Sequence, residues 1–109
     1  VILRGFEVWG QQVFERLHGM FAVCLWDEKT GAVFLARDRF GQKPLLIYED
    51  EQCIVFASEM RAILALPEVR VHPSPVGIFD YLTFRYVQAP YTVFEEVRKL
   101  PAGYGAYFD

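Results

Sequence analysis

The spacing of apolar residues changes character along this chain, and each change marks an element. Val1, Leu3, Phe6 and Trp9 recur at nearly helical spacing and Gly10 follows as a stop, which predicts a first helix. In "QQVFERL", Val13, Phe14 and Leu17 predict a second short helix, broken at His18 and Gly19 and packed against the first. From "MFAVCLW" the texture is that of strands: an unbroken apolar run, the turn "DEKTG", and a returning "AVFLAR". A second hairpin is expected from "KPLLIY" and "CIVFAS" around the acidic turn "EDEQ". "SEMRAILAL" predicts a helix capped by Ser58, burying Met60, Ile63 and Leu64 and ending before Pro67. "SPVGIFDYLTF" repeats the device, with Ser74 as cap and Pro75 at the first helical position. The final stretch, "VFEEVRKLPAGYGAYFD", is irregular and strand-like, with Pro101, Gly103 and Gly105 as turn formers.

The strands do not alternate apolar with polar residues. Phe21 to Leu25 and Val33 to Ala36 are apolar throughout, so both faces of each hairpin need cover. In an antiparallel, hairpin-linked sheet that requirement predicts an α+β body of four layers, α-β-β-α.

Composition narrows the picture. A content of 53% hydrophobic and 17% aromatic residues excludes a disordered segment, and 109 residues fit one domain. A net charge of −3 argues against general nucleic-acid binding, which needs a dense basic surface. No apolar run approaches the roughly 20 residues that cross a bilayer, and no signal peptide opens the chain. Cys24 and Cys53 lie inside apolar runs without metal-ligand or redox-pair spacing, so both are expected to be small buried hydrophobes in a cytoplasmic, reducing setting. The chain opens in mid-pattern, without Met or a capping residue, which leads to the expectation that it is a piece of a larger protein.

Candidate chemistry is sparse. A nucleophile needs an adjacent base and a group that orients it. His18 and His72 lie beside chain breakers, and Ser58 is better used as a cap. The acids at Asp27–Glu28, Glu49–Glu51 and Glu95–Glu96 fall in turns or exposed positions and are expected to be solvated. The most distinctive stretch is "LARDRFGQKPL", residues 35 to 45. Its Arg37, Arg39, Lys43 and the N–H groups near Gly41 could form a phosphate or carboxylate site. Its Asp38, Gly41 and Pro44 could instead hold two strands together, the acid pairing with Arg37 or Arg39.

The order "LHGMFAVCLWD", "FLARDRFGQKPL", "FASEMRAIL", "DYLTFRYV", "VFEEVRKLPAGYGAYFD" resembles the glutamine-hydrolysing asparagine synthetases. Specifically, it is similar to the later part of their glutaminase domain, a class II glutamine amidotransferase of the N-terminal-nucleophile hydrolase fold. That resemblance implies the same four-layer sandwich. It also implies that the family's catalytic N-terminal cysteine and its glutamine-binding residues lie upstream of Val1, and that the ATP-dependent synthetase domain lies downstream of Asp109. No catalytic, substrate-binding or metal-binding residue is therefore expected within the chain. Glutamine, aspartate and ATP are the implied substrates of the parent, ATP and Mg2+ belonging to the absent domain, with a homodimer as a further expected partner.

The resemblance gives Met20 as a candidate for lining the internal passage that carries ammonia, and it shifts the "LARDRFGQKPL" loop toward structure. Arg37 and Asp38 are expected to form a buried or half-buried ion pair, with Gly41 and Pro44 shaping the turn and Ser58 and Glu59 completing the structural signature. Leu46, Ala102, Tyr104 and Cys24 depart from the family pattern and leave the subfamily and the acceptor open. The alternative is a non-enzymatic module that keeps the fold as an interaction platform.

Overall fold

A computed structural model describes residues 1–109. In chain order it contains α1 (Ile2–Trp9), a 3-10 turn (Gly10–Gln12), α2 (Val13–Arg16), β1 (Ala22–Trp26), β2 (Val33–Arg37), β3 (Leu46–Glu49), β4 (Ile54–Ala57), α3 (Met60–Leu64), α4 (Pro75–Phe84), β5 (Val97–Lys99) and β6 (Gly105–Phe108). The strands form two small antiparallel sheets, one ordered β1-β2-β6 and the other β4-β3-β5. Both expected hairpins are present, with Cys24 opposite Leu35 and Ile47 opposite Phe56.

The unbroken apolar runs are explained by what lies on either side of each strand. Leu35 on β2 and Ile47 on β3, with Leu45 and Leu100, form a core cluster through which the two sheets meet. Leu46 and Tyr48 point the other way from β3 and join Ile63, Val69 and Val97 in a second cluster beneath α3. On the far side of the first sheet, Phe34 meets Phe6 of α1 at 4.9 Å and Tyr107 of β6 at 4.8 Å between ring centroids. Only the central strands are buried on both sides.

Several local expectations need correction. Helix α1 forms, but its inward face is Gly5, flanked by Ile2 and Phe6, while Val1, Leu3, Val8 and Trp9 are exposed. The pairing of the first two helices sets this rotation: a Cβ on Gly5 would lie 2.5 Å from Val13 Cγ2, so the backbone of α1 rests directly on α2. Ser58 does not cap α3. The chain stays extended through Glu59, which takes the N-cap position without a side-chain bond, and the helix is a single turn of five residues. Ile63 is buried and Met60 partly so, but Leu64 is exposed. In α4, Ser74 does cap as expected, its Oγ accepting from Gly77 N–H at 3.1 Å, with Pro75 at the first position.

Cys24 is exposed and Cys53 half-buried, against the expectation for both. For Cys24 the reason is positional: β1 is an edge strand, and although Ala22 at its start packs on the inter-sheet cluster, the same face is open toward Trp26, which is 65% exposed.

Candidate functional site

The loop joining β2 to β3 is the most densely bonded part of the molecule. Asp38, only 1% exposed, accepts three backbone N–H bonds: Phe40 and Gln42 donate to Oδ1, and Lys43 donates to Oδ2 at 3.0 Å. Its own backbone N–H donates to the carbonyl of Phe21, and its carbonyl accepts from Gly41 and Gly103. Burial works against the charge of Asp38, but the N–H groups of Gln42, Lys43 and Phe40 outweigh it and hold the carboxyl below its ordinary range.

Arg37 does not pair with Asp38. Consecutive residues leaving a strand point to opposite sides, and each charged group finds backbone partners instead. The Arg37 guanidinium donates to three carbonyls, those of Lys43, Leu100 and Gly41, each at 2.6 Å. The bond to Leu100 crosses from the loop to the turn between β5 and β6, so one side chain ties both connections together. Gly41 sits at φ 62°, where a Cβ would press on Ala102 and on the Arg37 guanidinium at about 3 Å. Pro44 is exposed and leads directly into buried Leu45.

This geometry does not favour an anion site. All three kinds of Arg37 nitrogen are committed to carbonyls, and Arg39 Nη2 donates to the carbonyl of Glu15. Of the three positive charges that cluster in the sequence, Arg37 and Arg39 are thus turned to backbone carbonyls, while Lys43 is exposed. Ser58 and Glu59 lie elsewhere, both exposed, with Glu59 bonded to Arg61 at 2.8 Å. Met20 is 61% exposed at the start of β1, next to Phe21, whose carbonyl anchors Asp38. A 240 Å3 hollow beside it is lined by His18, Phe21, Arg39 and Phe40 among others.

Two acids expected to be merely solvated do specific work. Asp50 accepts from the Tyr48 hydroxyl at 2.6 Å and from the N–H groups of Gln52 and Cys53, which together lower its pKa to about 2. The same contact raises the pKa of Tyr48. Glu96 accepts from His72 N–H and contacts His72 Nδ1 at 2.6 Å. That contact raises the His72 pKa, and on Glu96 it outweighs burial and lowers the carboxyl. The acid two positions after Tyr48, and the pairing of residues 24 apart, were the signals available in the sequence; the second depends wholly on the fold.

No group of three or more His, Cys, Asp or Glu side chains is placed to hold a metal ion. No histidine hydrogen-bonds either thiol, and the His72 ring is committed to Glu96. No helix is long and apolar enough to cross a membrane.

A family model described as a glutamine amidotransferase domain matches residues 1–109. The chain belongs to that family. Among curated relatives of this amidotransferase chain, a putative glutamine-hydrolysing asparagine synthetase of Mycobacterium tuberculosis is 39% identical over 105 residues, covering 94% of the chain and 16% of the relative. A second, from Methanocaldococcus jannaschii, is 32% identical over the whole chain and 22% of the relative. Asparagine synthetase 3 of Bacillus subtilis is 29% identical over 99% of the chain and 18% of the relative. The amidotransferase chain therefore spans about a fifth or less of the length of M. tuberculosis and B. subtilis relatives, and slightly more of the M. jannaschii one.

Proposed function

We propose that this chain is the structural half of a glutaminase domain within a glutamine-dependent asparagine synthetase. The parent hydrolyses glutamine to glutamate and ammonia; ATP activates aspartate as an acyl-adenylate, and ammonia displaces AMP to form asparagine. The family match along all 109 residues carries this reading. On this reading the chemistry is supplied by another segment of the parent.

That segment is read here as joining the open edges of the two sheets. A tight turn joins β5 to β6, so those strands lie on one side of the body and β1 and β4 on the other. On that second side, Cys24 and Trp26 of β1 and Ile54 and Phe56 of β4 line the space between the sheets and are exposed. Open edges with apolar inner faces favour further strands. Strands added there complete a four-layer sandwich and place catalytic groups beside this scaffold. ATP and Mg2+ are assigned, on this reading, to the second domain of the parent.

The passage that carries ammonia between the two active sites is proposed to run past Met20, where an apolar wall favours neutral ammonia over ammonium. In the full-length parent, Met20→Lys keeps glutamine hydrolysis and cuts asparagine formed per glutamate at least about tenfold, because the buried charge stabilises water and ammonium in the route. Parallel assays of glutamate and asparagine read this directly. Unchanged coupling removes Met20 from the passage, and absence of glutamine-dependent asparagine in the wild-type parent overturns the function itself.

A further inference from the structure

Residues 73–95 leave the body of the chain and return to it at one place. Within this excursion α4 rests on the returning segment: Gly77 is buried, and a Cβ there would fall 1.8 Å from the Thr92 carbonyl oxygen. The backbone closure at its base is slight. Pro73 faces Phe94 in an isolated antiparallel bridge and has no N–H to donate. Two backbone bonds flank the bridge, from Ser74 N–H to the Val93 carbonyl at 2.9 Å and from Glu95 N–H to the His72 carbonyl at 3.0 Å.

The Glu96 carboxylate completes that closure. Its Oε2 accepts from the His72 backbone N–H at 2.8 Å and its Oε1 lies 2.6 Å from His72 Nδ1, so one acid grips both the main chain and the ring of the residue where the excursion begins. The His72 side chain is 74% exposed and that of Glu96 26%, so the ring exchanges protons with water while the acid is held in place. Of the charged groups around the ring, Glu96 and, at longer range, Glu95 act on it. Arg70, two positions before His72, is turned to the Pro67 carbonyl, and Arg98, two positions after Glu96, pairs with Glu49. No cation therefore competes for the acid. Farther along, the excursion is held differently: Lys99 N–H donates to the Pro90 carbonyl, and the Lys99 ammonium donates to that of Val87 beside the Tyr86 ring.

We propose that His72 and Glu96 form a pH-sensitive latch that holds the α4 excursion closed in mildly acidic solution and slackens as the pH rises past neutrality. The direction follows from the two partners. The Glu96 bond and charge, with Glu95 behind them, outweigh burial and raise the His72 pKa. A raised pKa means that the charged ring favours the closed state, fully so below the ordinary histidine value of about 6.5, and that this contribution is lost as the pH climbs through the raised value. On Glu96 burial is outweighed by the His72 bonds and the carboxyl is lowered, so the acid stays ionised throughout that climb. Neutral His72 still offers Nδ1–H to Glu96 in one tautomer, so the charge assistance is lost rather than the contact. For a pair this open to water the change is a few-fold in the opening equilibrium.

The test is hydrogen exchange on the full-length parent at about pH 5.5 and about pH 8.5, each rate divided by the intrinsic rate at that pH, with the amides of β3 as internal reference. In the wild type, protection of residues 78–84 relative to β3 is expected to fall roughly two- to fivefold across that range. In His72→Gln, which keeps the backbone N–H to Glu96 but has no titrating ring, the same ratio is expected to stay flat. A flat ratio in the wild type overturns the proposal. An equal fall in His72→Gln also overturns it, because another group then sets the pH dependence. Titration of the His72 ring by NMR adds a check independent of opening: Glu96→Gln is expected to bring its pKa down, and an unchanged titration removes Glu96 as the partner.

Discussion

Asp38→Ala in the full-length parent lowers the melting temperature of the glutaminase domain by roughly 10 °C or more, while KM for glutamine changes by less than about twofold. The large effect follows from what the carboxylate holds. Three backbone N–H groups converge on this nearly fully buried carboxylate, and removing it leaves all three without the acceptor that sets the loop's shape. The damage then spreads through Arg37, whose bonds to Gly41 and Lys43 require the same loop shape and whose bond to Leu100 carries the disturbance into the β5–β6 turn. Asp38→Asn is expected to fall between, because both carboxylate oxygens accept N–H bonds and the single amide nitrogen of Asn must face one of those N–H groups. Thermal melting and steady-state kinetics on the same preparations decide the matter. A raised KM with an unchanged melting temperature restores the anion-binding reading of the loop.

Gly77→Ala is the second large effect, and its origin is steric. The new methyl would lie 1.8 Å from a backbone oxygen, a distance no side-chain rotation can relieve. Thr92 cannot retreat easily, because its hydroxyl donates to the carbonyl of Val97 at 2.7 Å and accepts from Phe94 N–H, and the residue is buried. Helix α4 must therefore lift as a unit, at a cost of about 3 kcal/mol or more. Alanine is otherwise the better helix former, so a propensity argument alone predicts stabilisation and the sign of the change is diagnostic. Hydrogen exchange should accelerate for residues 78–84 while the amides of β3 stay protected. A variant that melts within about 2 °C of the parent contradicts the close seating of α4.

How much of this was legible in the sequence differs from element to element. The hairpins and α4 were, because turn residues, a Ser-Pro cap and long apolar runs act locally. The double cover of β2 was also legible, since Val33 to Ala36 leave no polar face to expose, but the same reading of Phe21 to Leu25 fails at the edge strand β1, where Cys24 is exposed. The rotation of α1 was not: its apolar positions fit more than one stripe, and the choice is made by Gly5 meeting Val13. The cap of α3 was misplaced because Ser58 is a good capping residue in a segment that the preceding strand keeps extended. At the loop, "RDRFGQK" announced that charge and turn chemistry mattered, but an ion pair was the wrong partnership. Backbone carbonyls and N–H groups carry no signature in a one-dimensional sequence, and the carbonyl of Leu100 lies 63 positions from the arginine that uses it. Cys24 shows a different limit. Its apolar surroundings were read correctly, yet exposure is decided by which neighbours are present, and on the inner face of β1 only Ala22 packs on the core cluster while Cys24 is exposed.

The central claim is that these 109 residues supply the scaffold of a glutaminase whose reacting groups come from elsewhere in the parent. It is tested most directly by supplying glutamine to the isolated chain and to the parent under the same conditions and measuring glutamate release. The account predicts glutamate from the parent and none above the uncatalysed background from the chain. Glutamate released by the chain alone, at a rate that scales with its concentration, contradicts it.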